Sequence, residues 1–86
     1  MYVIMAYDVG VERVAKALKI ARKYLTWIQN SVLEGEITDA NFMKLKYEIA
    51  EIMEEGDSVT FYVLRTTEYM RKETLGTIKG EPTTII

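Results

Sequence analysis

Eighty-six residues, 49% of them apolar, fit one small globular domain spanning 1–86 and leave no room for a second. The chain has no cysteine and no histidine, which excludes a disulfide framework, a thiolate nucleophile, an imidazole base and sulfur-ligated zinc. The net charge of −2 excludes a polycation, so a nucleic-acid role requires a basic face, not a basic protein.

The first element is Tyr2 to Tyr7, apolar at every position, which predicts a central strand covered on both faces or nearly so. It is too short for a membrane span and lacks the flanks of a signal peptide, so the expected location is cytoplasmic, with no membrane partner. Asp8-Val9-Gly10 breaks the run. From Val11 to Leu25 the residues Val14, Ala17, Leu18, Ala21 and Leu25 recur at helical spacing, with Arg13, Lys16, Lys19 and Lys23 on the opposite side.

The period then changes. Trp27-Ile28-Gln29 and Val32 to Ile37 read as two short strands joined by a tight turn at Asn30-Ser31. Thr38-Asp39 offers capping oxygens ahead of a second helix with Phe42, Leu45, Ile49, Ile52 and Met53 inward, and Gly56 stops it. Ser58 to Leu64 is β-branched and aromatic, a fourth strand. The tail, broken by Gly76, Gly80 and Pro82, allows at best a short edge strand.

Strand, helix, strand, strand, helix, strand is the order of the ferredoxin-like α+β fold, an antiparallel sheet with both helices on one face. The second face needs cover. Sheet-to-sheet pairing of two copies about a two-fold axis supplies it, and residues from about 76 to 86 could reach across onto the partner.

Asp8, at the mouth of the first strand, is either the cap of the next helix or half of a metal site. Two Asp8 carboxylates facing each other across a dimer would repel, and a shared Mg2+, or Mn2+, resolves that repulsion with oxygen ligands alone. Such an ion suits phosphodiester hydrolysis. The basic helix side permits phosphate contacts by Arg13, Lys16, Lys19 and Lys23, although an amphipathic helix carries such residues outward in any case. Arg65, Arg71 and Lys72 could extend the positive surface. Tyr7 and Trp27 are large enough to stack on bases, yet such side chains more often fill a core or an interface. Ser31 lacks a base beside it and reads as a turn hydroxyl.

The strand ending Tyr7-Asp8-Val9, the helix opening at Arg13 and the run Gln29-Asn30-Ser31-Val32-Leu33-Glu34-Gly35 resemble the CRISPR-associated protein 2 family along the whole chain. The resemblance implies a ferredoxin-like homodimer whose paired Asp8 residues bind magnesium and support endonuclease activity on RNA or double-stranded DNA. It implies that Tyr7 and Arg13 occupy positions involved in activity, and that Ser31 lies beside the site. It further implies a partnership with the CRISPR-associated integrase in spacer acquisition, in which the small protein bridges integrase dimers and holds the prespacer duplex. An architectural adaptor without chemistry is the alternative. This chain departs from many members in carrying Trp27 where arginine is common, Leu33 in place of phenylalanine and Val11 in place of a second arginine. A small-molecule-binding regulatory dimer is the third function the fold allows, but no glycine-rich phosphate loop accompanies it.

Overall fold

The computed structural model describes residues 1–66 and 69–76. Five strands, β1 (Tyr2–Asp8), β2 (Thr26–Gln29), β3 (Val32–Glu36), β4 (Ser58–Thr66) and β5 (Tyr69–Gly76), form one sheet in the order β2-β3-β1-β4-β5. Every pairing is antiparallel. Helices α1 (Val14–Ala21) and α2 (Asp39–Ile52) complete the ferredoxin-like βαββαβ order, with β5 added at the edge.

Side chains alternate across a strand, and that alternation sorts β1 into two sets. Val3, Met5 and Tyr7 are buried on the helix side, whereas Tyr2, Ile4 and Ala6 are half-buried on the other and Asp8 is exposed there. β4 repeats the pattern, with Val59, Phe61 and Val63 buried and Ser58, Thr60, Tyr62 and Leu64 half-buried. The core lies between the sheet and the two helices, where Ala17 and Ala21 of α1 meet Phe42, Leu45 and Ile49 of α2 and Leu33 of β3. Phe42 and Phe61 pack edge to face with ring centroids 5.2 Å apart, joining α2 to the centre of the sheet.

The first helix is shorter than the apolar periodicity predicts. Val11–Arg13 is a 3-10 turn, α1 begins at Val14, and after Ala21 the amides of Lys23 and Tyr24 bond three residues back, to Ile20 and Ala21. The chain tightens so that Leu25 stays buried while β2 starts at the next residue. The second helix opens as expected, with the Thr38 hydroxyl accepting from the Asn41 amide at 3.1 Å.

The largest difference concerns β5. The tail pattern allows at best a short edge strand, but β5 is eight residues long, ends at Gly76 and pairs along β4 from Ser58 to Thr66. Its charges hide it from an apolar reading: Glu73 accepts from Lys46 of α2 at 3.0 Å and pairs with Arg71 at 2.7 Å. An edge strand tolerates such ion pairs where a central one would not. The expected reach of residues 76 to 86 onto a partner lies, from residue 77 onward, outside the described residues. Among the described residues no helix is long and apolar enough to cross a membrane.

Candidate metal and nucleic-acid site

Asp8 is the last residue of β1 and sits opposite Ser58 in the ladder with β4, so both side chains leave the same, helix-free face of the sheet. Ala6 opposite Thr60 is the next pair inward, and the Thr60 and Thr74 hydroxyls approach to 3.4 Å. Asp8 is therefore an exposed carboxylate with hydroxyl side chains lining the sheet beside it. It does not occupy the capping position: the residue before the 3-10 turn is Gly10, and neither that turn nor α1 has a side-chain cap.

The turn between β2 and β3 reaches the same end of the sheet. Asn30 takes the left-handed φ of 41°, and its carbonyl accepts from the Trp27 indole at 2.9 Å. The Ser31 carbonyl accepts the Tyr7 amide at 3.1 Å. Asp8, Tyr7, Ser31 and Arg13 are thus gathered at one end of the fold, although far apart in sequence in the case of Ser31. Their side chains do not share one surface.

The ring of Tyr7 enters the core from the helix side, 5% exposed, and its hydroxyl is buried with no hydrogen-bond partner among the described residues. A buried unpaired hydroxyl is a net cost. Replacing Tyr7 by Phe is expected to raise stability by about 1 kcal/mol, measured by urea unfolding at fixed protein concentration. A loss of stability would mean that the hydroxyl has a partner in the folded state.

Arg13 is held from below by a residue to which the sequence draws no attention. Asp57, 3% exposed in the loop between α2 and β4, accepts two hydrogen bonds on each carboxylate oxygen. Oδ1 receives Arg13 Nη2 and the Gly10 amide, both at 2.9 Å; Oδ2 receives Arg13 Nε at 2.6 Å and the Glu54 amide at 3.0 Å. The bonds from Arg13 hold the Asp57 carboxyl well below the usual carboxylate range against the opposing effect of burial, and Asp57 raises the guanidinium in return. Arg13 also lies 3.0 Å from Glu12 and 3.2 Å from Glu54. The only sequence signal for Asp57 is its place directly after Gly56 and before a strand, which reads as ordinary turn chemistry.

The basic helix side is also thinned by internal pairing. Lys23 bonds Glu48 of α2 at 2.5 Å, which raises the lysine and lowers the glutamate, and Tyr24 donates to the same carboxylate. Lys16, Lys19 and Arg22 remain exposed, the last with its guanidinium 5.7 Å from the centre of the half-exposed Trp27 ring. Arg65 pairs with Asp39 and Arg71 with Glu73, whereas the Lys72 ammonium lies 5.9 Å from the centre of the Tyr62 ring.

A divalent ion held by Asp8 would share the helix-free face with two further carboxylates, Glu34 and Glu36 of β3, which stand opposite Ile4 and Tyr2 further along β1. Among the described residues no three acidic, histidine or cysteine side chains converge. That donor set fits magnesium, which keeps several waters and binds through one or two carboxylates.

A family profile described as "CRISPR associated protein Cas2" matches residues 1–72. The chain is 60% identical over 82 residues, 94% of each chain, to a protein of Dictyoglomus turgidum named CRISPR-associated endoribonuclease Cas2. It is 57% identical over 82 residues, again 94% of each, to the protein of that name from Thermotoga maritima. A solved structure described as "Crystal structure of cas2" superposes with a TM-score of 0.75 at 40% identity, covering 100% of this chain and 98% of the other. The Cas2 of Streptococcus pyogenes superposes at 0.67 with 35% identity, covering 74% of this chain and 86% of that one. With a matching profile over most of its length and relatives this similar end to end, the chain belongs to the CRISPR-associated Cas2 family.

Proposed function

We propose that the chain is a magnesium-dependent endonuclease that works as a homodimer, with the Asp8 carboxylates of two copies holding the ion where their helix-free sheet faces meet. The observation that carries this reading is the placement of Asp8, an exposed carboxylate ending a strand on the face that the helices leave uncovered. Ile4, Tyr62 and Leu64 stand half-buried on that face, and Met70 beside Leu64 is exposed. A second copy is the economical cover for such a surface. The relatives' shared name, CRISPR-associated endoribonuclease Cas2, favours RNA as substrate over double-stranded DNA.

When bound, the ion lowers the pKa of a coordinated water and neutralises charge on the phosphodiester. The chain's own residues supply the rest. Asp8 anchors, Ser58 lies beside it as a hydroxyl donor or acceptor, and Lys16, Lys19 and Arg22 along α1 offer phosphate contacts. These exposed cations also support the adaptor reading, in which the dimer holds a prespacer duplex for the CRISPR-associated integrase in the cytoplasm and cuts nothing.

Metal removal separates the two. EDTA is expected to stop cleavage of a single-stranded RNA, and added Mg2+ to restore it, while binding of a short DNA duplex in a mobility-shift assay persists throughout. Cleavage that continues in EDTA would sink the metal reading; no cleavage under any condition, with duplex binding intact, would leave the adaptor.

A further inference from the structure

The geometry points to Asp57 as a positioning residue for Asp8, acting through Gly10 and Arg13, so that Arg13 serves the reaction by holding this loop and not by touching nucleic acid. The part that concerns the reaction rests on the nuclease reading above.

Asp8 is bracketed on two sides by one short piece of chain. On the sheet it pairs with Ser58; two residues further on, the Gly10 amide is bound by Asp57, the residue directly before Ser58. The same carboxylate grips Arg13 through two guanidinium nitrogens and closes its own loop through the Glu54 amide. The segment 8–13 is thereby fastened at Asp8, Gly10 and Arg13 to residues 57 and 58. A side chain at the mouth of a strand is otherwise free to follow its loop.

Three features mark the arrangement as built. The Arg13 side chain is only 13% exposed, with its fork spent on Asp57, Glu12 and Glu54, so it has little left to offer a phosphate. Gly10 has φ −57° and ψ 149°, open to any residue, yet a Cβ there would stand 2.5 Å from Arg13 Nη2. Any side chain at this position would press on the guanidinium and displace it from its place on Asp57. Gly76, at φ +89°, closes over the main chain of Asp57, where a Cβ would fall 2.1 Å from the carbonyl oxygen. The backbone that carries the carboxylate is therefore confined as well.

Three variants of the full chain test this: Gly10→Ala, which keeps both charges and an allowed backbone, Asp57→Asn, and Arg13→Lys, which keeps the charge but not the fork. Each is expected to lower kcat on single-stranded RNA in Mg2+ by about 10- to 100-fold with KM unchanged, the usual cost of losing a group that orients a ligand. Exchange of the amide at position 10, which donates to Asp57, is expected to speed up about tenfold in all three. Wild-type turnover in Arg13→Lys would indicate a simple cationic contact with the substrate and overturn the inference. So would faster exchange with unchanged kcat in Gly10→Ala, which would make the clamp a structural tie alone. If the wild-type protein cleaves nothing, the nuclease reading falls by itself, and exchange still decides the clamp: unchanged protection of the amide at position 10 in the three variants would refute it.

Discussion

Asp8→Asn is expected to cut magnesium-dependent turnover by two to three orders of magnitude, roughly the effect of removing one preorganised charge-stabilising group, while the protein stays folded. Asparagine preserves the volume and the hydrogen-bonding reach of the side chain, and Asp8 is an exposed strand end with no place in the core. What it removes is the negative charge that a hard cation requires of its oxygen ligands. The phosphate contacts assigned to Lys16 and Lys19 are untouched, so KM for RNA should hardly move and kcat should carry the loss. Amide exchange at Gly10 should also stay as in the wild type, because the Asp57 clamp is intact; this distinguishes loss of a ligand from loss of its support. Wild-type turnover in the purified Asn variant, with contaminating nuclease excluded, would remove Asp8 from the chemistry.

The largest structural effect is expected from Phe61→Ala. Phe61 is fully buried at the centre of β4, on the helix side of the sheet and against Phe42 of α2. Truncation forfeits the transfer free energy of the ring and leaves a cavity that a two-layer domain cannot close, a cost of about 3–5 kcal/mol. A domain of this size has only about 5–15 kcal/mol in total, so the midpoint of thermal unfolding should fall by more than about 10 °C. The comparison must hold protein concentration fixed, since dimerisation adds to apparent stability. A cost below about 1 kcal/mol would mean that the Phe42–Phe61 contact is not where the two layers are joined.

Legibility in the sequence follows the range of the interaction. Strand β1, the β2–β3 hairpin, α2 with its Thr38 cap, and β4 are readable because each is set by neighbours within a few residues: a short apolar or β-branched run, a turn dipeptide, a capping hydroxyl. The exposed charge at the end of β1 is likewise legible, as a single carboxylate following an unbroken apolar run. For the basic side of the first helical pattern, a helical wheel shows where Arg13 and Lys23 project but not that Asp57 and Glu48 wait there, 44 and 25 positions away. The strand β5 is longer and earlier than the tail pattern indicates for a related reason. Its stabilising partners, Lys46 and the β4 ladder, are contributed by the rest of the fold, so its own residues look like a charged tail.

Sequence by itself determined the order of elements, the absence of thiol and imidazole chemistry, and the resemblance carried by Tyr7-Asp8-Val9 and Gln29 to Gly35. Tertiary structure decided which side of the sheet each of those residues serves: Tyr7 turns into the core, Asp8 turns out beside Ser58, and Arg13 is drawn onto Asp57. The reason is physical. Strand alternation assigns adjacent residues to opposite faces, but only packing of the helices says which face is closed, and only folding brings a buried carboxylate to the guanidinium that neutralises it.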